Sequence, residues 1–335
     1  MKTHTFTKLT GSLLAASLFC LATPLQSIAD AASPFIACWA LNLPNGGGGW
    51  LSVKRVPDGS LESFILLAGG SPRKLKETKM RGDTLVMTRV RKDRKTKKKI
   101  VDLYEARCKG AFIKIERKTI NSDGKTVSRA SLDGKRIPPH GKKPDLDSLE
   151  FGKPVKLFSG NDMSKWKAMN PKAPNCWTIK DGILSNRVKG PDGKKRHGTN
   201  IRTEKKFEDF RLTTDVRVPE NGNSGIYLRG IYEIQVAESY GEPADSHNMG
   251  ALYSRITPST TAEKKPDEWQ TLDIILCERY ATVILNGTKI IDNQPIMGCT
   301  GGAISSDEFA PGPIYLQGDH TDVDYRNMIL YPIVK

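Results

Sequence analysis

The chain has 335 residues, of which 38% are hydrophobic and 27% are charged, with a formal net charge of +15. This length predicts about two domains, and this balance excludes a wholly disordered chain, which would contain fewer apolar residues. The 30 glycines and 20 prolines, together with many valines, isoleucines and threonines, favour strands and turns over helices.

The first residues of the chain are predicted to be a targeting segment. Lys2 and Lys8 form a charged start, an apolar run follows at residues 13–23, and residues 29–31 supply an A-x-A cleavage site. The apolar run is shorter than the ~20 residues that span a bilayer. We therefore expect residues 1–31 to be a signal peptide and the mature protein to be exported, periplasmic or extracellular, and not membrane-spanning.

Residues 33–136 are predicted to form a small antiparallel β domain. Short apolar stretches recur along it and are separated by turn sequences such as Asn45-Gly46 and Asp58-Gly59. The predicted strands are residues 38–43, 50–53, 61–67, 84–90, 100–106 and 112–117. Such a meander is expected to close into a barrel or a compact sandwich.

The excess of positive charge belongs to this first part of the chain. Residues 33–150 carry 26 Lys and Arg against 13 Asp and Glu, whereas residues 151–335 carry 24 against 23. The basic run RVRKDRKTKKK at 89–99 falls where two predicted strands join, and we interpret it as a solvated hairpin tip. The functional alternative is contact with an anionic glycan or surface. Nucleic acid is not expected, because no aromatic residues alternate with these charges to stack on bases.

The rest of the chain divides into a linker and a larger β domain. Residues 137–150 begin with IPPHGKKP and are predicted to be an extended linker. Residues 151–335 alternate polar and apolar side chains in short stretches, and Asn286-Gly287 predicts a tight hairpin turn. The clearest predicted strands are residues 223–229, 232–236, 272–276, 282–285 and 314–317. The fold class is therefore all-β, with a C-terminal jelly-roll, concanavalin-like (lectin-like) β-sandwich.

Five cysteines follow the predicted signal peptide, and an oxidising compartment permits disulfides. The odd number leaves at least one thiol unpaired. Cys38 and Cys108 fall in the same predicted domain, so they are predicted to form a disulfide. The alternative is that all five are small buried residues.

Strand alternation places polar and aromatic side chains on one face of the second domain. Because Ile226 and Leu228 are expected in the core, Tyr227 and Arg229 are expected on the opposite side. The full predicted set is Tyr227, Arg229, Glu233, Gln235, Tyr315 and Gln317, followed at the end of the last strand by Asp319 and His320. Such groups suit the hydroxyls and faces of sugars. The alternative is an ordinary solvated sheet face, on which Arg and Glu pair across strands.

The signatures of several common enzyme classes are missing. The chain has no G-x-S-x-G elbow, no H-E-x-x-H zinc helix and no phosphate-binding G-x-x-x-x-G-K-[ST] loop. The segment DHTDVD at 319–324 offers oxygen ligands for a hard cation such as calcium. An Asp-rich turn is the commoner explanation for such a segment, so a divalent cation stays an open expectation.

A series of short motifs occurs in order between residues 155 and 331. It includes LFSGNDMSKW at 157–166, NSGIYLRG at 223–230, YEIQV at 232–236, EWQ at 268–270, LNG at 285–287 and IYLQGDH at 314–320. In this order the motifs resemble those of the 3-keto-disaccharide hydrolase family, which are lectin-like sandwiches that include 3-keto-glucoside 1,2-lyases and 3-keto-2-hydroxy-glucal hydratases. Two positions depart from the family pattern: Thr321, where glycine is common, and Tyr325, where phenylalanine is common.

The resemblance implies an enzyme that acts on oxidised, 3-keto, glycosides. A ketone at C3 acidifies the proton on C2, so that one base and donors for the enolate oxygen suffice to eliminate the C1 substituent. The expected base is His320 or Glu233, with Arg229 and Gln235 stabilising the negative charge. The expected sugar contacts are Tyr227, Gln235, Tyr315, Gln317 and Asp319. No organic cofactor is expected, and the alternative function is a non-catalytic glycan-binding module.

Overall fold

The computed structural model describes residue 1 and residues 30–158, 161–190 and 192–334. The predicted signal peptide therefore falls almost entirely outside the described residues. Ala31–Lys335 form one compact unit, in which the described residues are strands, loops and two short 3-10 helices at Ser33–Phe35 and Leu146–Ser148. The predicted all-β class is confirmed. No helix in the described part of the chain is long and apolar enough to cross a membrane.

The first nine strands form one antiparallel sheet. They are β1 (Ala37–Asn42), β2 (Gly48–Arg55), β3 (Leu61–Leu67), β4 (Arg73–Lys74), β5 (Glu77–Arg81), β6 (Thr84–Lys92), β7 (Lys99–Lys109), β8 (Phe112–Ile120) and β9 (Thr126–Arg136). The order β4-β3-β2-β1-β9-β8-β7-β6-β5 puts two strands that are adjacent in the chain at opposite ends of the sheet. Between them, Leu75 donates to Ser63 of β3 and Lys76 donates to Thr88 of β6. The sheet is therefore curled into a nearly closed barrel, as the sequence predicts.

All six strands predicted in this region are present, but β4, β5 and β9 were not predicted. β9 is long, yet only Leu132 and Gly134 of its residues are buried, so its sequence lacks the apolar alternation of a strand. The basic run forms the β6–β7 hairpin tip, where Asp93 Oδ1 accepts the backbone N–H groups of Lys95 and Thr96. Its contact with an anionic glycan or surface stays a prediction.

The remaining strands form two sheets that pack face to face. They are β10 (Glu150–Phe151), β11 (Val155–Lys156), β12 (Trp166–Ala168), β13 (Trp177–Lys180), β14 (Ile183–Asn186), β15 (Ile201–Thr203), β16 (Phe210–Arg217), β17 (Asn223–Leu228), β18 (Tyr232–Ala237), β19 (Gln270–Cys277), β20 (Tyr280–Leu285), β21 (Thr288–Pro295), β22 (Tyr315–Leu316) and β23 (Val323–Val334). One sheet has the order β13-β14-β23-β16-β19-β20-β21, with β10 and β11 also paired to β23, and the other has the order β12-β15-β22-β17-β18. Asn286 and Gly287 both have positive φ, 50° and 83°, which gives the predicted type I′ turn between β20 and β21. The predicted sandwich is confirmed.

The barrel and the sandwich share a packed interface. Strand alternation in β1–β3 sends Trp39, Leu51 and Ile65 into the barrel core, whereas Trp50 and Leu66 join the core cluster of the sandwich. Trp50 Nε1 also donates to the carbonyl oxygen of Cys299 at 2.8 Å. The outer side of β1–β3 is thus packed against the sandwich, and the domain boundaries at 136 and 151 stay a prediction.

The segment predicted as an extended linker is held against the sandwich. It contains no regular strand between residues 137 and 145, but its backbone oxygens are bound: Arg279 donates to Pro138 and Pro139, and Asn293 donates to Pro144 at 2.8 Å. The His140 ring bonds to the carbonyl oxygen of Ile296 at 2.8 Å. These contacts fix the segment along β20 and β21.

The predicted disulfide between Cys38 and Cys108 is wrong, because both thiols are free. Cys38 lies in the sandwich core cluster, whereas Cys108 packs against the barrel core, so the two side chains are on opposite faces of the sheet. Their strands are also separated by β8 and β9, which excludes the roughly 4–7 Å Cα separation of a disulfide. Burial raises the pKa of the Cys38 thiol to about 12. The alternative expectation of buried thiols holds for all five except the half-buried Cys108.

Candidate active site

Three neighbouring strands bring the predicted face residues together. β17 pairs with both β18 and β22, and the register sets Tyr227 opposite Glu233 on one side and opposite Tyr315 on the other. Ile226 and Ile234 alternate with them and point into the core. Tyr227, Glu233 and Tyr315 are only 1–3% exposed. The face is therefore a covered site and not the solvated surface that was the alternative expectation.

A glycine in this face leaves room for the Glu233 carboxyl. Gly225 lies opposite Gln235, and its carbonyl oxygen accepts the backbone N–H of Gln317 at 3.0 Å. A methyl group on Gly225 would collide with Glu233 Oε1, so the missing side chain makes room for the carboxyl. The amide oxygens of Gln235 and Gln317 are buried and have no protein partner in the described residues. Unsatisfied buried oxygens are costly, and sugar hydroxyls would supply the donors.

Gly225→Ala is expected to displace the Glu233 carboxyl while leaving the fold intact. The added methyl group takes the space of the Glu233 carboxyl. We expect the kcat/KM of the reaction proposed below to fall by at least about tenfold, because a small misplacement of a reacting group is costly. Circular dichroism and the unfolding midpoint check the fold, and Gly141→Ala serves as a control in a loop with open space around it and no positive φ. Full activity in Gly225→Ala would show that the site does not need the Glu233 carboxyl in this position.

The Glu233 carboxyl is held in its neutral form. Burial raises the pKa of Glu233 to about 8; the hydrogen bond from Tyr227 opposes this rise, and the negative charge of Asp319 adds to it. The Tyr227 hydroxyl lies 2.8 Å from Glu233 Oε2 and 2.8 Å from the carbonyl oxygen of Gly301. A hydroxyl has one proton and serves one of these acceptors at a time, and when Tyr227 donates to Glu233 Oε2 the proton of the neutral carboxyl lies on Oε1 and is free to donate. Below pH 8 the site therefore contains a carboxylic acid that can donate.

The two tyrosines of the face form a stacked pair. The ring centroids of Tyr227 and Tyr315 are 4.0 Å apart and their planes differ by 9°. Asn200 Nδ2 donates to the Tyr315 hydroxyl at 3.2 Å, and Asn200 Oδ1 accepts the backbone N–H of Gly318 at 2.7 Å. Asn200 was not predicted, because it precedes a strand of only three residues, which shows no alternation in the sequence.

Asp319 and His320 form a pair at the end of β22. His320 Nδ1 lies 2.6 Å from Asp319 Oδ1, and both side chains are nearly half exposed. Burial opposes ionisation of Asp319, but the hydrogen bond and charge of His320 lower its pKa below the ordinary value. With Nδ1 bound to a carboxylate, Nε2 is the ring nitrogen left to accept a proton.

The two departures from the family pattern both contact β17. The Thr321 hydroxyl accepts the backbone N–H of Asn223 at 2.6 Å and donates to its carbonyl oxygen at 3.0 Å. The Tyr325 hydroxyl lies 2.9 Å from Ser224 Oγ. Both added hydroxyls therefore tie the loop that carries His320, and the strand after it, to the start of β17.

Arg229 does not follow the predicted alternation. It lies just after the end of β17 and has a positive φ of 54°, so the period-two pattern does not reach it. Its guanidinium donates to the carbonyl oxygens of Glu308 and Ala310. Strand alternation therefore does not decide the direction of the Arg229 side chain, and its role in the site stays a prediction.

The Asp-rich segment after β22 has partners within the protein for each of its carboxylates. Asp319 binds His320, Asp322 Oδ1 accepts the backbone N–H of Val188 at 2.8 Å, and Asp324 pairs with Arg187 and Arg217. Among the described residues, no three His, Cys, Asp or Glu side chains form a metal-binding group. These residues do not fit a calcium site, and we derive no step that uses a metal ion.

Loops that sequence reasoning missed complete the site. Residues of the barrel reach it, since Gly302 N donates to Ala68 at 3.0 Å and Ser71 Oγ lies 3.0 Å from His247 Nε2. His247 packs edge-on against Tyr253 at 5.1 Å, and Tyr253 N donates to the carbonyl oxygen of Glu233 at 2.9 Å. None of these contacts has a signal in the sequence. The contacts of Gly302 and His247 with the barrel join segments about 175 residues or more apart, and the others lie in irregular loops.

Residues 153–330 match the family described as the 3-keto-alpha-glucoside-1,2-lyase-like domain, and this range is more than half of the chain. The chain belongs to this family. The 3-keto-alpha-glucoside-1,2-lyase-like domain includes the whole face around Glu233 and excludes the barrel. The family resemblance read from the motifs is confirmed.

Similar proteins carry carbohydrate-related names. A 3-keto-disaccharide hydrolase of Bacteroides thetaiotaomicron is 24% identical over 194 residues, which is 50% of this chain and 62% of that protein's length. A structure from Parabacteroides distasonis, provisionally named a glycosyl hydrolase, is 28% identical, with a TM-score of 0.45 over 57% of this chain and 93% of that one. A carbohydrate-binding module from Bacillus subtilis is 12% identical, with a TM-score of 0.33 over 49% of this chain and 93% of that one.

Proposed function

We propose that this protein cleaves 3-keto-glycosides by removing the C2 proton and eliminating the C1 substituent, with hydration completing a net hydrolysis. The observation that carries the proposal is the Glu233 carboxyl, which is buried, bonded to Tyr227 and neutral below a pKa of about 8. The charge of Asp319 acts on it, so the Asp319–His320 pair belongs to the same site. A neutral acid near an imidazole supplies the donor and the acceptor that abstraction of a proton next to a ketone requires.

The roles of His320 and Glu233 follow from the surroundings of each side chain. His320, oriented by Asp319, takes the C2 proton on Nε2 and becomes an imidazolium. The C3 carbonyl oxygen becomes an enolate oxygen, and Glu233 donates its proton toward it as a hydrogen bond. The buried amides of Gln235 and Gln317 hold sugar hydroxyls, and the Tyr315 ring borders the sugar. This assignment uses Glu233 as the acid and His320 as the base, and it gives Arg229 no contact with the substrate.

The bond changes then balance without a further reactant. The enolate returns its electron pair to form C1=C2 and restore C3=O, the bond from C1 to the leaving oxygen breaks, and the imidazolium proton goes to that oxygen. The first products are an alcohol and an unsaturated 3-keto sugar. Addition of water, with hydroxyl to C1 and a proton to C2, gives the free 3-keto sugar. The signal-peptide sequence leads us to place this reaction outside the cytoplasm.

Turnover of 3-keto-trehalose and a 3-keto-glucoside by the full-length protein tests the proposal, with the unoxidised sugars as controls and with chelator added or omitted. We expect cleavage of the keto sugars alone, insensitivity to chelator, and a loss of about 10²-fold or more in kcat for His320→Gln. Cleavage of the unoxidised sugars at equal rates would contradict the elimination route. Saturable glycan binding without cleavage would show a binding module instead.

A further inference from the structure

The row of residues that contains Glu233 continues across the five-stranded sheet to a cation. Arg202 of β15 is opposite Tyr315, Tyr315 is opposite Tyr227, and Tyr227 is opposite Glu233. Residues directly opposite in antiparallel strands share a face. Arg202 therefore lies on the face of the candidate site, three strand spacings of ~4.8 Å from Glu233, or roughly 14 Å between backbones.

A cavity lies at this end of the face. Its volume is about 380 Å³, and Met169, Arg202, Lys206 and Pro313 are among its lining residues. Met169 follows β12, and its N–H bonds to Asn200, the residue whose side chain holds the Tyr315 hydroxyl. The cavity is therefore next to the tyrosine pair of the candidate site.

The charges around this cavity are mostly positive. Arg202, Lys206 and Arg229 line it, and Asp307 is the acidic side chain among its lining residues. Asp307 Oδ1 already accepts the backbone N–H of Phe309 at 2.9 Å, and the guanidinium of Arg229 is anchored on carbonyl oxygens. The backbone of Arg202 is paired within the sheet, but within the described residues the side chains of Arg202 and Lys206 have no ion-pair or hydrogen-bond partner.

An unpaired, half-buried guanidinium beside a second cation is suited to an oxyanion. Arginine presents a planar fork that binds a carboxylate, sulfate or phosphate with two parallel hydrogen bonds. The neighbouring cation on the same face, Lys167, is not free in this way, because it pairs with Glu204. The contrast indicates that Arg202 is left without a protein partner at the position where a ligand would meet it.

We propose that this cavity is an anion subsite, in which Arg202 and Lys206 bind a carboxylate or another oxyanion on the leaving portion of the glycoside. The inference rests on the proposed function, because it takes Glu233 as the reaction centre. The separation of roughly 14 Å between Arg202 and Glu233 exceeds one monosaccharide. The oxyanion therefore belongs to the sugar or aglycone beyond the oxidised ring, and the preferred substrates are acidic 3-keto-glycosides.

The test compares a 3-keto-glucoside whose leaving group is glucuronic acid with one whose leaving group is glucose, at low and high salt. We expect the acidic substrate to have a KM about tenfold lower, and this advantage to shrink as salt is added. In Arg202→Gln the ratio of the two KM values is expected to fall to about one. Lys180→Gln, an exposed cation on the other sheet, is the matched control and should keep the ratio.

A binding measurement separates this inference from the proposed function. Calorimetry with unoxidised glucosyl-glucuronic acid and glucosyl-glucose needs no turnover, and we expect wild type to prefer the acidic disaccharide and Arg202→Gln to lose the preference. If no keto sugar is cleaved but this preference is seen, the result supports the anion subsite and contradicts the proposed reaction. Equal binding of both disaccharides, or a preference that Arg202→Gln retains, would overturn the subsite.

Discussion

Glu233→Leu is expected to lower kcat/KM for a 3-keto-glycoside by about 10²–10³-fold, the loss usual for removing one donor to a developing oxyanion. In the wild type we expect activity to fall as pH rises through about 8, because burial raises the pKa of Glu233 to that value and only the neutral carboxyl donates. Glu233→Gln keeps a donor, because its amide N–H does not ionise, so its activity should lack this alkaline decline. Steady-state kinetics between pH 5 and 10 measure both effects.

Two outcomes would contradict this role for Glu233. A wild-type activity that rises through pH 8 would mean that the carboxylate acts as the base, and an unchanged kcat/KM in Glu233→Leu would remove the residue from catalysis. Glu242→Leu is the matched control, because Glu242 is exposed at a bend. Tyr227→Phe is expected to lower activity less, since it removes the support of Glu233 and not the donor itself.

The stability of Glu233→Gln provides an independent check on the pKa of Glu233. A carboxyl whose folded pKa is raised above its ordinary value binds a proton in the folded state over the interval between the two values, so folding stability falls as pH rises from about 4.5 to about 8. Glu233→Gln has no such proton to lose. Relative to wild type, its free energy of unfolding should therefore increase across this interval, by an amount on the order of several kcal/mol, and then become constant.

Arg279→Met is expected to lower the free energy of unfolding by about 3–5 kcal/mol, the cost of leaving a buried charge without its partner. Arg279 Nη1 lies 3.3 Å from Glu308 Oε2, and the two residues are 6% and 2% exposed. Arg279 also donates to Pro138 and Pro139, so the variant frees the segment between barrel and sandwich. Urea denaturation at neutral pH measures the loss.

Controls separate the buried charge from the lost packing. Arg279→Met combined with Glu308→Leu should recover part of the stability, because no unpaired carboxylate remains. Arg211→Met breaks the partly exposed pair with Asp273 and should cost no more than about 1 kcal/mol.

The loss in Arg279→Met should also depend on pH. Burial raises the pKa of Glu308, and the charge of Arg279 opposes that rise. Without the arginine the pKa rises further, so stability falls over a wider range of rising pH. The loss should therefore be smaller at pH 4 than at pH 7, and a loss under 1 kcal/mol at pH 7 would contradict the role of the pair.

Much of the candidate site was predictable because strand alternation is a local property. Tyr227, Glu233 and Gln235 occupy alternate positions of two strands joined by a short turn, so their common face follows from period two alone. The same rule failed at Arg229, where a positive φ ends the strand. It also missed Asn200, which reaches the site from outside a strand of three residues.

The prediction of a disulfide was wrong for a related reason. Placing Cys38 and Cys108 in one predicted domain says nothing about the face on which each side chain lies. In the barrel, Cys38 points outward to the sandwich and Cys108 packs toward the barrel core. The face on which a side chain lies depends on the register of its strand in the closed sheet. Contacts along the whole barrel set that register.

The sequence by itself determined the all-β class, the sandwich, the family and the asymmetry of charge, because these depend on local periodicity, on motif order and on composition. Only the tertiary structure decided that Glu233 is neutral below pH 8, that Gly225 leaves room for its carboxyl, and that the Arg202 side chain is unpaired on the same face. These properties depend on burial and on contacts between segments distant in the chain. A pKa or a cavity is a property of the surroundings that folding creates, and no single stretch of sequence contains it.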